Sequence, residues 1–178
     1  MKKVFVFLFL LPLVSCVSVP IESLHTEIKT DNWVVGFEKD FGPGKGYIRE
    51  FVPKGESIFE WSRLISVEFI EGEVKSPMAY ITAFELMRQA QCPGTSFEVI
   101  NQSQYFVTYL FNFPECMKHD AQSEISRLYK GNDGLHRLSY TEKSLSLSES
   151  VKAHWLSEFE NSYIVKGPNQ LPIQVSAP

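Results

Sequence analysis

Basic residues and cysteines are both scarce in this sequence. Its 178 residues include three cysteines, and 17 Lys and Arg face 21 Asp and Glu. Because no block of basic residues stands out beyond the N-terminus, we expect no nucleic acid partner and no electrostatic attachment to anionic lipid. Hydrophobic residues make up 44% of the chain and aromatic residues 13%, which is typical of a globular core. A chain of this length folds as one domain without a metal or a dense disulfide framework.

Catalytic and metal-binding motifs are also missing. A serine hydrolase needs an elbow such as G-x-S-x-G, and the nearest string, Gly55 to Phe59, lacks the second glycine. The glycine-rich turn from Phe41 to Gly46 has neither the P-loop spacing nor the helix that would follow it. The four histidines are scattered without metal-ligand spacing. We therefore predict that the protein is not an enzyme and binds no metal.

A hydrophobic run at the N-terminus is the most informative stretch. Lys2 and Lys3 precede the apolar segment 4–14, and Leu13-Val14-Ser15-Cys16 follows directly. A positive start and a short apolar run are typical of an export signal, and the run is too short to span a membrane. The last four residues resemble the lipobox of bacterial lipoproteins. The competing interpretation is an ordinary cleaved signal with a chance cysteine.

The lipobox resemblance implies a location and a covalent modification. The signal peptide 1–15 would be removed, and Cys16 would carry a diacylglycerol and an N-acyl chain, with no other cofactor. Several acyl chains give stable membrane anchoring where a single chain is marginal. Val17 after the cysteine resembles the pattern sorted to the outer membrane of a Gram-negative bacterium, facing the periplasm. We expect residues 16–31 to form a lipidated tether, 32–166 the globular domain and 167–178 a flexible tail.

The two remaining cysteines are Cys92 and Cys116. In an exported chain, a leftover pair is most simply a disulfide. The alternative adds His119 and makes a metal site of the three side chains, but no CxxC or HxxxH spacing supports it.

Sequence periodicity predicts an α+β domain with the order βββαββββα, in which a mainly antiparallel sheet of six or seven strands carries two helices. Ser76-Pro77 predicts the start of the first helix, with an apolar stripe of Tyr80, Ala83, Phe84 and Met87. Residues 105–113 are apolar on both faces, which predicts a central strand. Ser146-x-x-Glu149 has the form of a capping box and opens the second helix, with Val151, Trp155 and Phe159 in one stripe.

This element order resembles the Mog1/PsbP-like fold. The resemblance covers about residues 33–165 and includes Trp61, which enters the third strand after the turn Pro53-Lys54-Gly55-Glu56. That group contains partner-binding and accessory proteins with no common chemistry, so the resemblance implies a binding module.

We expect most aromatic side chains to lie in the core. Any of Tyr47, Phe51, Phe59 and Trp61 that remain exposed on a sheet face are candidates for a protein interface, because Tyr and Trp contribute much binding energy at low entropic cost. The leading hypothesis is a lipid-anchored envelope protein that acts through protein–protein contacts, for example as an accessory component of a secretion system or another envelope-spanning assembly. A small-ligand or lipid-binding lipoprotein would instead need an apolar pocket. An envelope hydrolase would need a polar cleft with paired titratable groups.

Overall fold

A computed structural model of the chain describes residues 22–29, 31–42, 44–72, 76–117 and 119–166. The described elements, in chain order, are β1 (Glu22–His25), β2 (Trp33–Asp40), β3 (Tyr47–Pro53), β4 (Arg63–Glu71), α1 (Pro77–Gln91), β5 (Ser96–Gln102), β6 (Phe106–Phe113), β7 (Gln122–Lys130), β8 (Gly134–Glu142), α2 (Glu149–Glu160) and β9 (Tyr163–Lys166). Neither helix in these ranges has the length and apolar character needed to cross a membrane.

Seven strands form one antiparallel sheet in the order β2-β3-β4-β8-β7-β6-β5, and β1 pairs with β9 in a separate two-stranded sheet. The predicted α+β class and the order βββαββββα are confirmed, with one additional strand at each end. Turn-forming residues occur between β2 and β3, between β3 and β4 and between β7 and β8, and the clearest set is Gly131-Asn132-Asp133-Gly134.

Alternation along the strands gives the sheet two faces that are covered differently. We call the side that packs under α2 the α2 face; its buried cluster includes Phe51, Ile65, Val67, Ile125, Leu138, Tyr140, Trp155 and Phe159. The opposite side, the α1 face, packs under α1 with a second buried cluster that includes Ile81, Val107, Tyr109, Phe111 and Leu128. Burial of both clusters supplies the main driving force for folding.

The strand Phe106–Phe113 is covered on both faces, as its sequence predicts, yet it is not central. It lies second from one edge, and β8 is the middle strand. Leu110 of β6 joins the cluster under α2, whereas Val107 joins the cluster under α1. Burial on both faces therefore reports that both helices cover the strand, and it does not fix the strand's place in the sheet.

The two helix starts differ in how well the sequence predicts them. At α1, the Ser76 side chain accepts a hydrogen bond from the Ala79 backbone N–H at 3.0 Å, as predicted. The capping box at Ser146 is wrong, because the N-cap of α2 is Ser148, which accepts from the Val151 N–H at 3.3 Å. Leu147 is buried in the core, so the chain packs against the core at this residue before the helix begins.

The predicted stripe of α1 is half right. Phe84 packs against Phe97 and Phe111 with ring centroids 5.8 and 5.9 Å apart, and Tyr80 is half-buried. Ala83 and Met87 are exposed, and Ile81, which the predicted stripe omits, is buried. The helix is thus turned so that its contact with the sheet runs through Pro77 and Ile81.

The predicted tether 16–31 is wrong for its second half. Glu22 to His25 form β1, which pairs with β9, and both Glu22 and Leu24 are buried. Leu24 belongs to the cluster under α2. The folded domain therefore includes Glu22 to His25, which lie before the predicted boundary at residue 32. The predicted tail 167–178 lies outside the described residues.

The sheet has two distinct ends. We call one the hairpin end; it carries the β2–β3, β5–β6 and β7–β8 turns and the first residue of β1. We call the other the loop end; it carries the connections β3–β4, β6–β7 and β8–α2. With nine residues in β8, the two ends are about 27 Å apart.

A disulfide joins Cys92 and Cys116, as the sequence predicts, and the two Cα atoms are 5.9 Å apart. The bridge ties the C-cap of α1 to the chain just beyond β6, at the loop end. The loop it closes spans 24 residues, for which the chain-entropy argument gives about 3 kcal/mol of stabilisation.

Candidate functional site

A cleft of about 580 Å³ opens on the α2 face, close to the loop end. Three parts of the chain surround it: the segment Glu27-Ile28-Lys29 that follows β1, the strands β2, β4 and β8, and one side of α2. The helix contributes Ser150, Val151, His154, Trp155, Glu158 and Asn161. These residues recur every three or four positions, so they lie along one side of the helix.

An aromatic row forms the wall of the cleft. The Tyr140 ring stacks on Trp155 with centroids 4.7 Å apart, and Trp33 meets Tyr140 edge-on at 6.4 Å. Trp155 continues the row into the core through Phe159, at 6.0 Å. Because Trp155 is nearly fully buried while Trp33 is half-buried, the row runs from the core to the surface. Such rings offer rigid contact area to a ligand.

Charged groups surround this aromatic wall. Glu27 and Lys29 lie on the segment after β1, and Arg63 begins β4 with its guanidinium 5.7 Å from the centre of the Trp33 ring. On α2, the imidazole Nδ1 of His154 lies 3.9 Å from Glu158 Oε1. The cleft therefore presents both signs of charge beside an apolar wall.

The hydroxyl of Tyr140 is held in the neutral form. It donates a hydrogen bond of 2.6 Å to Glu142 Oε1. Burial raises the pKa of Tyr140, and the carboxylate of Glu142 raises it further. Tyr140 therefore serves as a fixed part of the wall and not as an acid or base near neutral pH.

The α1 face holds a polar cluster where the other face holds apolar side chains. Arg137 Nε lies 3.0 Å from Glu68 Oε2, and its Nη1 lies 3.3 Å from Glu124 Oε1. Glu124 also accepts hydrogen bonds from Ser126 and, at 3.3 Å, from Thr141. The cluster also includes three buried hydroxyl side chains, those of Ser126, Ser139 and Thr141.

The charges in this cluster are coupled. Burial alone would lower the pKa of Arg137, but Glu124 and Glu68 reverse that effect and raise it, so the guanidinium stays charged. Burial raises the pKa of Glu50, and the neighbouring Glu68 and Glu124 add to this rise. We interpret the cluster as structural, since its charged side chains pair with one another, although the buried Ser139 hydroxyl has no hydrogen-bond partner among the described residues. Within the described residues, no group of three or more His, Cys, Asp or Glu side chains could hold a metal ion.

A third polar site lies at the hairpin end, where the buried Glu22 clasps the β7–β8 turn. Its carboxylate accepts from the backbone N–H groups of Asn132 at 2.7 Å and Asp133 at 3.1 Å, and from the Asn132 side chain at 2.7 Å. Burial would raise the pKa of Glu22, but these hydrogen bonds more than offset it and lower the pKa. We call this arrangement the Glu22 clasp.

His136 lies directly beneath the clasp. Its ring stacks on Phe69 at 4.6 Å, its Nε2 is 4.0 Å from Glu22 Oε2, and the side chain is fully buried. Burial lowers the pKa of His136 to about 4, against the attraction of Glu22. Neither ring nitrogen has a hydrogen-bond partner among the described residues.

The structure separates the four predicted interface aromatics. Phe51 is 1% exposed and belongs to the core, so that prediction is wrong. Tyr47 is also a packing residue, half-buried 5.9 Å from the Phe69 ring, with its pKa raised to about 12 by burial. Phe59 is 89% exposed and Trp61 is half-buried beneath the Lys143 ammonium at 5.3 Å; both lie at the loop end. Cys16 lies outside the described residues.

Sequence reasoning did not find the cleft. Its lining comes from segments that lie far apart in the chain, from Glu27 to Asn161, and no short motif marks their convergence. Helical spacing did identify Trp155, but only as a core residue. Tyr140 is one of several buried residues on β8, so nothing in the sequence marks it as lining a cleft.

The domain is thus a sheet with a helix on each face and a cleft under the second helix. A protein-family model matches residues 27–164, and the chain therefore belongs to this family, whose description names no activity. No curated protein and no solved structure matches the chain. The resemblance to the Mog1/PsbP-like fold stays a prediction.

Proposed function

We propose that this chain is a lipid-anchored protein of the Gram-negative envelope that faces the periplasm and binds an extended segment of a partner protein in the cleft. The export signal and the lipobox ending at Cys16 support the anchor and the location. The cleft beside α2 supports the binding role and is the observation that carries it. An accessory role in a secretion system or another envelope-spanning assembly is the concrete form of this proposal.

The dimensions of the cleft suit an extended polypeptide. Its helix side runs from Ser150 to Asn161, which corresponds to about 16 Å along the helix axis. About five residues of extended chain cover that distance. The aromatic row would receive apolar side chains of the segment, while Arg63 and Glu158 would meet its polar groups.

A small polar ligand is the second candidate, because the cleft volume lies in the range of small-molecule sites. A lipid tail suits the cleft less well. Packing an acyl chain against Glu27, Lys29 and Arg63 would remove water from these charged groups without replacing their hydrogen bonds.

Site-specific photo-crosslinking in living cells tests the proposal. A photo-reactive residue at His154 faces the cleft, and one at Ser157 on the same helix lies outside its lining. We expect discrete crosslinked envelope proteins from position 154 and none of these from position 157. Because Ser150 lies at the cleft and is exposed, adding the substitution Ser150→Trp should suppress the crosslinks by obstructing the cleft, whereas Ser157→Trp should not.

The outcomes separate the candidates. Identical crosslinks from both positions, or crosslinks that survive Ser150→Trp, would contradict binding in the cleft. Protein purified from gently solubilised envelope that carries a small molecule, lost in Ser150→Trp, would favour the second candidate. The Cys16→Ala variant tests the anchor separately, since it should leave the membrane fraction.

A further inference from the structure

The Glu22 clasp fixes the chain at the hairpin end, very close in sequence to the proposed lipid. The carboxylate of Glu22 is 2% exposed and accepts three hydrogen bonds from the β7–β8 turn. The next residues continue as β1, paired with β9 from Glu22↔Lys166 to His25↔Tyr163. The chain is therefore part of the folded domain from residue 22 onward.

Only five residues separate Cys16 from Glu22. Six Cα-to-Cα steps of a fully extended chain cover about 20 Å at most. That distance is shorter than the separation of about 27 Å between the two ends of the sheet. A lipid on Cys16 therefore cannot leave the domain free to turn over with respect to the bilayer.

We propose that the lipid surface is a binding partner of the hairpin end, so that the anchored domain stands with this end toward the bilayer and its cleft directed away. The inference rests on the lipid anchor of the proposed function, and it adds which surface meets the membrane. The cleft is placed accordingly, because Trp33 and Arg63 begin their strands at the loop end. The partner segment is then reached from the periplasmic side.

The side chains at the hairpin end fit such a contact. Phe41 follows β2, Tyr105 precedes β6, and both side chains are exposed. Lys45 and Lys130 are exposed at the same end. Aromatic rings favour the level of the lipid headgroups, and lysine side chains reach phosphates from there. The loop end also exposes apolar side chains (Phe59, Met117 and Leu145) and lysines (Lys54 and Lys143), so the short connection to Cys16 is what selects the hairpin end.

Two variants, each with one added cysteine at an end of the same strand, measure the orientation. Lys45→Cys lies just before β3 at the hairpin end, and Lys54→Cys lies just after β3 at the loop end, both at exposed lysines. Each full-length lipidated variant is labelled with a fluorophore and reconstituted into vesicles of phosphatidylethanolamine and phosphatidylglycerol with a nitroxide on a fraction of the headgroups. We expect quenching to be several-fold stronger at position 45 than at position 54.

Equal quenching at both positions, or stronger quenching at position 54, would overturn the proposed orientation. A matched form with a Gly/Ser insertion that triples the segment between Cys16 and Glu22 tests the cause: the difference should shrink, and an undiminished difference would overturn the short connection as the cause. Failure of the wild-type protein to associate with vesicles at all would contradict the anchor itself. Vesicle association of Cys16→Ala as strong as that of the wild type would do the same.

Discussion

Both faces of the sheet are covered by a helix, but the side chains beneath the two helices differ in polarity. On the α2 face, aromatic and aliphatic side chains from the strands meet Trp155 and Phe159, and the packing leaves a cleft at one side. On the α1 face, the apolar cluster under the helix gives way to Arg137 and its glutamates over the middle strands. Packing of apolar side chains stabilises the α2 face, whereas ion pairs also contribute to the α1 face.

The difference explains why the cleft opens on the α2 face. The rings of Trp33, Tyr140 and Trp155 pack against one another in a row, and space remains beside them between the helix and the strands. In the polar cluster of the α1 face, the carboxylates of Glu68 and Glu124 already pair with Arg137, and Glu124 also accepts from Thr141. A surface of that kind holds a fold together and offers little to a ligand.

Removal of the Trp155 side chain should lower the free energy of unfolding more than any other change described below. We expect Trp155→Ala to cost about 4 kcal/mol of unfolding free energy, because the ring is nearly fully buried and packs between Tyr140 and Phe159. Urea denaturation measures the loss, and the loss should be independent of pH. A cost below about 1 kcal/mol would mean that the helix does not depend on this packing.

Removal of Arg137 tests the other face. Arg137→Met should cost about 3 kcal/mol at neutral pH, since it leaves the carboxylates of Glu68 and Glu124 without their counter-charge. Urea denaturation measures the deficit, and a cost below about 1 kcal/mol would show that the counter-charge contributes little and would remove the contrast with Trp155.

Local patterns in the sequence predict more of this molecule than its long-range contacts. Alternation in β4 and the turn Gly131–Gly134 predict the sheet, and Cys92 and Cys116 predict the disulfide, because each depends on nearby residues or on a single pair. The strand β1 escapes prediction. Its four residues have no periodicity, and Glu22 is buried only because a turn 110 residues away supplies donors for it.

The cleft and the facing of α1 escape prediction for a related reason. Apolar residues surround α1 widely enough that both Ile81 and Met87 could face the sheet, and only contact with β5 to β7 selects Ile81. Whether an aromatic residue becomes core or surface is likewise decided by its partner: Phe51 pairs with the buried Ile65, whereas Phe59 lies in a connection with nothing above it among the described residues.

A buried histidine gives the apolar face a pH response of its own. His136 titrates with a pKa of about 4 in the folded protein and about 6.5 when unfolded, so the unfolded chain binds more protons between these values. Folding stability should therefore fall as the pH drops from 6.5 to 4, by up to about 1.4 kcal/mol per pH unit. His136→Phe should flatten this slope, whereas His154→Gln, at an exposed histidine, should retain it. An unchanged slope in His136→Phe would assign the acid response to other groups.

The smallest effect separates two serines at the start of α2. Ser148→Ala should cost about 1 kcal/mol, because the Ser148 hydroxyl accepts from the Val151 N–H and no other side chain is placed to replace it among the described contacts. Ser146→Ala should cost almost nothing, since Ser146 is exposed and only its backbone carbonyl takes part in a hydrogen bond. The reverse order in thermal denaturation would restore the capping box that the sequence suggests.

Loss of the Ser148 cap should also weaken binding in the cleft, because the first turn of α2 carries Ser150 and Val151 into the cleft lining. Ser76→Ala offers the matched change on the α1 face, where a similar loss of stability should leave cleft binding unaltered.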